Sequence, residues 1–314
     1  MTTIRRVPLV TGATGFAGSH LLERLLRSHD HVAGWSNRAA RSFDAGARVH
    51  WRQVDVLDRQ AVRDAIRALE PSVVFHCAGL PHVAESWGNA DRALRVNALG
   101  THHLLDGVRE FAPDARVVVA GSALVYRQSD QPLSEDSPIG PNDPYGLSKL
   151  AQEMLAVRAD TPVIATRPFN HIGPRQQPSF ATSSFAKQIA DIEAGRREPV
   201  MLVGNLDSRR DLMDVRDTVR AYEALATTGT PGRVYNICSG TAHRVGDVLD
   251  RLIRMARVRV TVKQDPARMR PSDNPLVLGD PSRIAADTGW RTEIPLDRTL
   301  EDLLAWWRTQ VTSG

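Results

Sequence analysis

From residue 6 the chain alternates short, continuous apolar runs with longer segments whose apolar residues recur every three or four positions. RVPLVTG (6–12), HVAGW (31–35), SVVFHCAG (72–79), ARVVVAGSA (115–123) and TPVIATRPFN (161–170) are short and mostly rich in valine and isoleucine. Such runs read as strands buried on both faces. Between them, SHLLERLLRS and residues 59–70, 90–111 and 145–158 carry helical spacing. Strands alternating with helices specify an α/β chain built on a doubly wound, mostly parallel sheet. After residue 170 the alternation loosens. Helices are expected at 183–195 and 245–256, a strand at VRVTVKQ, and a closing helix at LEDLLAWWRTQ, where Trp306 and Trp307 are expected to pack.

The first strand runs into Gly12-Ala-Thr-Gly15-Phe-Ala-Gly18, then a helix, then the second strand. In this context glycines let the backbone turn tightly and approach a pyrophosphate at the positive helix N-terminus. The spacing is GxxGxxG. A site for NAD carries an acid at the end of the second strand, bonded to the ribose hydroxyls. Here the residues are Trp35-Ser36-Asn37-Arg38, without an acid. An arginine suits a 2′-phosphate, so the expected cofactor is NADP(H). Residues 1–170 are expected to form a Rossmann-like dinucleotide-binding domain to which 210–240 return. Residues 171–209 and 241–314 are expected to form a smaller α/β substrate-binding region.

Candidate chemistry lies between Gly121 and Gln152. Tyr145 and Lys149 stand at i and i+4, on one face of the expected helix. An ammonium near a phenol favours the phenolate and lowers its pKa from about 10. Tyr145 is then a proton donor or acceptor near neutral pH. Ser122, at the end of an apolar run, is placed to hold a carbonyl oxygen beside it.

Composition narrows the class. Of 314 residues, 42% are hydrophobic and 24% charged, an ordinary globular balance. No apolar run approaches the roughly 20 residues of a membrane span. The first residues lack the apolar stretch and cleavage site of a signal peptide. Cys77 and Cys238 are the two cysteines, both in strand-like runs, and read as buried thiols in a reducing, cytoplasmic setting. The ten histidines show no ligand spacing, so no metal is expected; His102 and His103 read as surface residues. The net charge of +4 is spread along the chain, which argues against nucleic acid as a partner. Lysine occurs only at 149, 187 and 263, in a chain otherwise biased to arginine.

TGATGFAG, VDVLD, HCAG, VNALGT, GSALVYR, PYGLSK, RPFNHIGP, GNLDSRRD, YNICSG and ARMRPSD together resemble the extended short-chain dehydrogenase/reductases that act on nucleotide sugars. GNLDSRRD is similar to the GDP-sugar branch, and RPFNHIGPRQ and DPARMR to its 4-keto reductases. The resemblance implies a dinucleotide on Gly12, Thr14, Gly15, Phe16, Ala17 and Gly18. It adds Asn37 and Arg38 at the ribose phosphate, and Asp55 and Val56 near the adenine. Ala78, Gly79, Asn97, Tyr145, Lys149 and Pro168 would line the cofactor toward its reacting end. For the nucleotide sugar it implies Ser86, Ser122, Asn170, Lys187, Asn205, Arg210, Arg270 and Asp273. YNICSG would be the last strand of the large sheet. Helices near 90–111 and 145–158 would pair in a homodimer.

One departure selects the chemistry. Dehydratases of this family carry an acid just after the active-site hydroxyl, whereas this chain has Ser122-Ala123-Leu124. Ala123 and Leu124 cannot move protons, so elimination of water lacks its acid and base. Ketone reduction needs neither. The expected catalytic set is Ser122, Tyr145 and Lys149, reducing the C4 ketone of a GDP-4-keto-6-deoxyhexose to GDP-rhamnose or its C4 epimer. The alternatives are a C4 epimerase holding NAD, and a 4,6-dehydratase that uses another acid such as Glu85. Arg127, after VY, is a second departure, near the sugar or in an altered loop.

Overall fold

The computed structural model describes residues 6–38, 46–269 and 274–312. The first six strands are β1 (Leu9–Thr11), β2 (Val32–Ser36), β3 (Val49–Gln53), β4 (Val73–His76), β5 (Arg116–Ala120) and β6 (Val163–Pro168). They are followed by β7 (Asn170–Ile172), β8 (Val200–Val203), β9 (Arg209–Asp214), β10 (Val234–Ile237), β11 (Ala242–Arg244), β12 (Thr261–Gln264) and β13 (Leu276–Val277). Helices in the first half are α1 (Phe16–Leu25), α2 (Arg59–Leu69), α3 (Val83–Gly88), α4 (Ala90–Leu94), α5 (Gly100–Phe111) and α6 (Pro144–Ala156). The second half holds α7 (Ala181–Glu193), α8 (Val215–Thr228), α9 (Val245–Arg254), α10 (Ser282–Thr288) and α11 (Leu296–Thr312).

Seven parallel strands form the large sheet in the order β10-β6-β5-β4-β1-β2-β3. Every residue of β1, β2 and β6 is buried, as the continuous apolar runs require of strands covered on both faces. One face packs on α1 and α8 through Leu21, Leu22, Leu25, Val219, Tyr222 and Leu225. The other packs on α2 and α5 through Val62, Ile66, Leu104 and Val108. The order reverses between β1 and β4. At such a switch point the loops leave in opposite directions and open a crevice at the strands' C-terminal ends.

Segment 210–240 divides. Its first residues lie in β9, the centre of a smaller sheet with β7, β11 and β13, while β10 returns to the large sheet. A second core gathers α7, α9 and α11, with Phe185, Ile189, Leu249, Leu300, Leu303 and Trp307. Trp307 is buried, as expected, and its Nε1 donates to Ser183 Oγ. Two expectations need correction. The span 90–111 is not one α-helix: a π-helical turn, Arg95–Leu99, separates α4 from α5. His103 is buried rather than superficial, its Nδ1 donating to the Val56 carbonyl 3.0 Å away.

Helix α6 is fixed at both ends of its length. Asp143 caps it by accepting the Gly146 N–H at 2.8 Å, with Pro144 in the first turn. Further along, Glu153 forms a two-pronged pair with Arg167 of β6, at 2.6 and 2.8 Å. The Arg167 guanidinium also lies 4.6 Å from the centre of the Tyr126 ring. Both members of the pair are under 10% exposed. Exposed pairs such as Arg59–Asp106 contribute only about 0–1 kcal/mol. Removing one partner of a buried pair strands a charge and costs about 3–5 kcal/mol. Glu153→Leu and Arg167→Met are each expected to lower the unfolding free energy by about that amount. The double replacement is expected to cost less than the sum, read from urea midpoints at constant slope.

Candidate active site

Gly12 turns the chain out of β1 with φ +66°, a left-handed conformation that favours glycine. A Cβ there would lie 2.7 Å from the Ala78 nitrogen. A Cβ on Gly18 would strike the Gly12 carbonyl. The loop is thus pressed onto the β4 end and onto the first turn of α1. No side chain caps α1 at Gly15, which leaves its first amides for a ligand. Thr14 Oγ1 and Ser36 Oγ are 3.0 Å apart, and Ser36 Oγ accepts the Arg38 N–H. This couples the glycine loop to the end of β2, where Asn37 and Arg38 are exposed. A close-approach cradle, free helix amides and a cation at the β2 end fit a phosphorylated dinucleotide.

The reacting end lies on β5 and α6. Ser122, two residues beyond β5, accepts the Leu124 N–H at 3.1 Å, closing a short 3-10 turn over Ala123–Val125. Gly146 lets α6 press against this turn: a Cβ there would be 2.9 Å from Pro141 Cβ. The close approach sets the Tyr145 phenol beside Ser122, which acts to lower its pKa. Tyr145 and Ser122 are both under 10% exposed.

The expected effect of Lys149 on Tyr145 is corrected here. Burial pushes the Tyr145 phenol up to about 12, offset in part by Ser122 and reinforced by Asp143. Lys149 directs its Nζ to the Ala120 carbonyl at 2.8 Å and to Gln152 Oε1 at 2.9 Å. Burial brings Lys149 down to about 8. Shared helix face was legible in the spacing; the aim of the ammonium was not. Gln152, three residues after Lys149, is a site residue that sequence reasoning missed. The i, i+3 spacing was its signal.

Around Lys149 the polar groups form one buried chain. Gln152 Nε2 donates to Thr101 Oγ1 at 2.8 Å, and Thr101 donates to the Asn97 carbonyl at 2.6 Å. His76 Nε2 lies 2.8 Å from Thr101 Oγ1, and His76 Nδ1 lies 2.8 Å from Thr11 Oγ1. Thr11 Oγ1 accepts the Ala78 N–H. Burial holds His76 at about 3, with Lys149 acting in the same direction, so the ring is neutral at pH 7. The His76 of HCAG was a second signal left unused.

The other expected residues are placed as follows. Ala78 and Gly79 follow β4, and a Cβ on Gly79 would be 3.3 Å from Lys149 Nζ, so the missing side chain leaves room at the ammonium. Pro168 ends β6 and is buried. Phe16 stacks on His171 of β7, rings 5.6 Å apart and nearly parallel, and Ala17 follows it in α1. Asp55 is exposed and accepts the Leu57 N–H; Val56 is buried. Asn170 is exposed on β7. Asn205 Oδ1 accepts the Asp207 N–H, and Arg210 bonds the Asn274 carbonyl at 2.6 Å. Arg127 is exposed.

Three residues are engaged elsewhere, because each has a nearer partner. Asn97, fully buried on the π turn, is used up by the Leu80 backbone and Ser148 Oγ. Ser86 is buried and donates back to the Val83 carbonyl. Lys187 pairs with Asp191 at 2.6 Å beside the Trp307 ring. Glu85, the alternative dehydratase acid, is paired with Arg92 at 3.0 Å near the surface. Arg270 and Asp273 lie outside the described residues.

Comparisons with known proteins find relatives over nearly the whole chain. The family described as GDP-mannose 4,6 dehydratase matches residues 9–303. The chain is 34% identical to the GDP-6-deoxy-D-mannose reductase of Pseudomonas aeruginosa, over 96% of this chain and 97% of that one. It is 27% identical to the UDP-glucose 4-epimerase of Bacillus subtilis, over 96% and 97%. The structure of RMD from Pseudomonas aeruginosa complexed with NADPH superposes with a TM-score of 0.85 at 32% identity, covering 98% of this chain and all of that one. Sequence and fold agree along nearly the whole length, and this chain belongs to the GDP-mannose 4,6-dehydratase family of nucleotide-sugar enzymes.

Proposed function

We propose that the chain is an NADPH-dependent reductase of the C4 ketone of a GDP-4-keto-6-deoxyhexose, yielding a GDP-6-deoxyhexose such as GDP-rhamnose. The observation that carries this is Tyr145 set beside Ser122, next to a turn whose following residues, Ala123 and Leu124, bear no acid. The 34% identical relative named as a GDP-6-deoxy-D-mannose reductase supports the same substrate class.

NADPH, when bound, supplies a hydride. Gly12 and Gly18 admit its pyrophosphate against α1, and Arg38 takes the 2′-phosphate. Ser122 holds the ketone oxygen and Tyr145 gives it a proton as it becomes an alkoxide. Lys149 has two ammonium hydrogens committed, to Ala120 and Gln152. The third is left for a ribose hydroxyl of the cofactor. Arg210 and Asn205 of the smaller region face the nucleotide diphosphate, with Asn170. We divide the molecule accordingly into a cofactor half on the large sheet and a substrate half on the smaller sheets. The Arg38 reading disfavours the NAD-holding epimerase, and the paired Glu85 disfavours the dehydratase.

The partner in solution is a second copy of this chain. Leu94, Leu99, Leu147, Met154 and Leu155 are each at least 37% exposed, on α4, the π turn and α6. Pairing these helices in a four-helix bundle covers them. No helix among the described residues is long and apolar enough to cross a membrane. Both cysteines are free, which suits a reducing cytoplasm.

Three outcomes are expected. Enzyme mixed with NADPH and GDP-4-keto-6-deoxymannose should consume the 340 nm absorbance of the cofactor, and Tyr145→Phe should slow kcat by about 10²–10⁴-fold; a folded enzyme that leaves the absorbance unchanged sinks the proposal. Arg38→Ala should raise KM for NADPH about 10–100-fold and leave NADH use unchanged, because a charge-assisted bond contributes about 1.5–3 kcal/mol. Sedimentation should give twice the 34.6 kDa chain mass, and Leu147→Arg with Met154→Arg should return it to one.

A further inference from the structure

Lys149 is 6% exposed, and Gln152 and Thr101 are fully buried. The titratable groups around the ammonium are His76 and Cys77 from β4 and Tyr145 from its own helix; Tyr222 of α8 stands behind Cys77 and Tyr145. None is an anion at pH 7, since burial holds His76 near 3 and both Cys77 and Tyr145 near 12. No carboxylate acts on Lys149. A buried ammonium without a counter-ion depends on neutral acceptors to remain charged.

Hydrogen counting fixes which way the Gln152 amide faces. Lys149 has donors only, so the atom 2.9 Å from its Nζ is the amide oxygen. The other end is consistent only with this choice. Thr101 has one hydroxyl hydrogen, given to the Asn97 carbonyl at 2.6 Å. Its oxygen must therefore accept from Gln152 Nε2 and from His76 Nε2, both at 2.8 Å. His76 then carries its proton on Nε2, and Nδ1 accepts from Thr11. Every hydroxyl and imidazole hydrogen in the chain from Thr11 to Gln152 has one destination.

We infer that Gln152 is the positioning residue of Lys149: its amide oxygen, aimed by Thr101, holds the buried ammonium against the Ala120 carbonyl and keeps it protonated at neutral pH. This rests on the reading of Lys149 as the cation of the proposed active site. Gln152 is fully buried beside it. Without an oxygen at this position Lys149 loses one of its two acceptors and releases its proton at lower pH.

The three lysines of the chain make a direct test simple. Lysine labelled with carbon-13 at Cε gives three NMR signals, and Lys149→Met assigns the one of interest. In the full-length protein, Gln152→Met removes the acceptor at similar volume and is expected to lower the Lys149 midpoint by about one pH unit or more. Gln152→Glu supplies an anion and is expected to raise it by about as much. Thr101→Val frees the amide to turn and should act like Gln152→Met, whereas Thr101→Ser keeps the hydroxyl and the parent value. The alkaline limb of kcat/KM should move in the same two directions. Should Gln152→Met fail to fold, Gln152→Glu and Thr101→Val carry the same comparison. A Lys149 midpoint that stays at the parent value in the folded Gln152 and Thr101→Val variants overturns the inference. Shifts of the expected signs in a protein that oxidises no NADPH uphold it and count against the reductase reading instead.

Discussion

An ammonium ion removed from water costs several kcal/mol unless its hydrogens find acceptors. Much of the centre of this molecule answers that need. The Ala120 carbonyl is available because β5 ends there, one residue before the chain turns at Gly121 and Ser122. Gln152 is available because it lies a turn beyond Lys149 on α6. Thr101 and His76 extend the support from α5 and β4, so four elements join in the network around one charge. The neutral state of His76 belongs to the same arrangement, since a second buried cation beside the first would cost more.

The two sheets divide the labour that a two-substrate reaction demands. Parallel strands ending together give a rim on which glycine loop, Arg38 and the Ser122–Tyr145 pair stand side by side. The chain crosses from β6 to β7 with one residue between them, Phe169, buried in the seam. The stack of Phe16 on His171 bridges the same seam from the other side. Position along the sheet therefore governs which ligand each residue can meet, and residues spaced far apart in the chain act at one place.

Most of the large sheet was legible because a strand buried on both faces is mainly apolar, as the runs of valine, leucine, isoleucine and alanine in β1 and β4–β6 are. Tyr145 and Lys149 were legible because helix geometry alone puts i and i+4 on one face. What stayed hidden depended on partners distant in the chain. The short strands β7, β11 and β13 have no pattern of their own and exist only through β9. His103 reads as polar until the Val56 carbonyl stands opposite it. The π turn shifts Asn97 inward, toward Leu80 and Ser148, and a helical pattern gives no sign of the added residue. Lys187 looked like a free cation because Asp191, one turn on, was not weighed against it. The direction of the Tyr145 shift was missed for a different reason: spacing reports which groups are neighbours, while burial decides which charge state they prefer.

The turn after β5 keeps its shape through contacts that do not involve its outward chemistry. Ser122 caps it, Gly121 admits the Thr166 carbonyl, and Gly146 lets α6 close on the Leu124 carbonyl. Ala123 is buried in a cluster with Val125, Tyr126 and Phe169, while Leu124 is half-buried, so position 124 can change more readily with the hydroxyl pair left in place. Reduction and dehydration are then neighbouring outcomes on one scaffold, separated by a few substitutions rather than by a rebuilt fold.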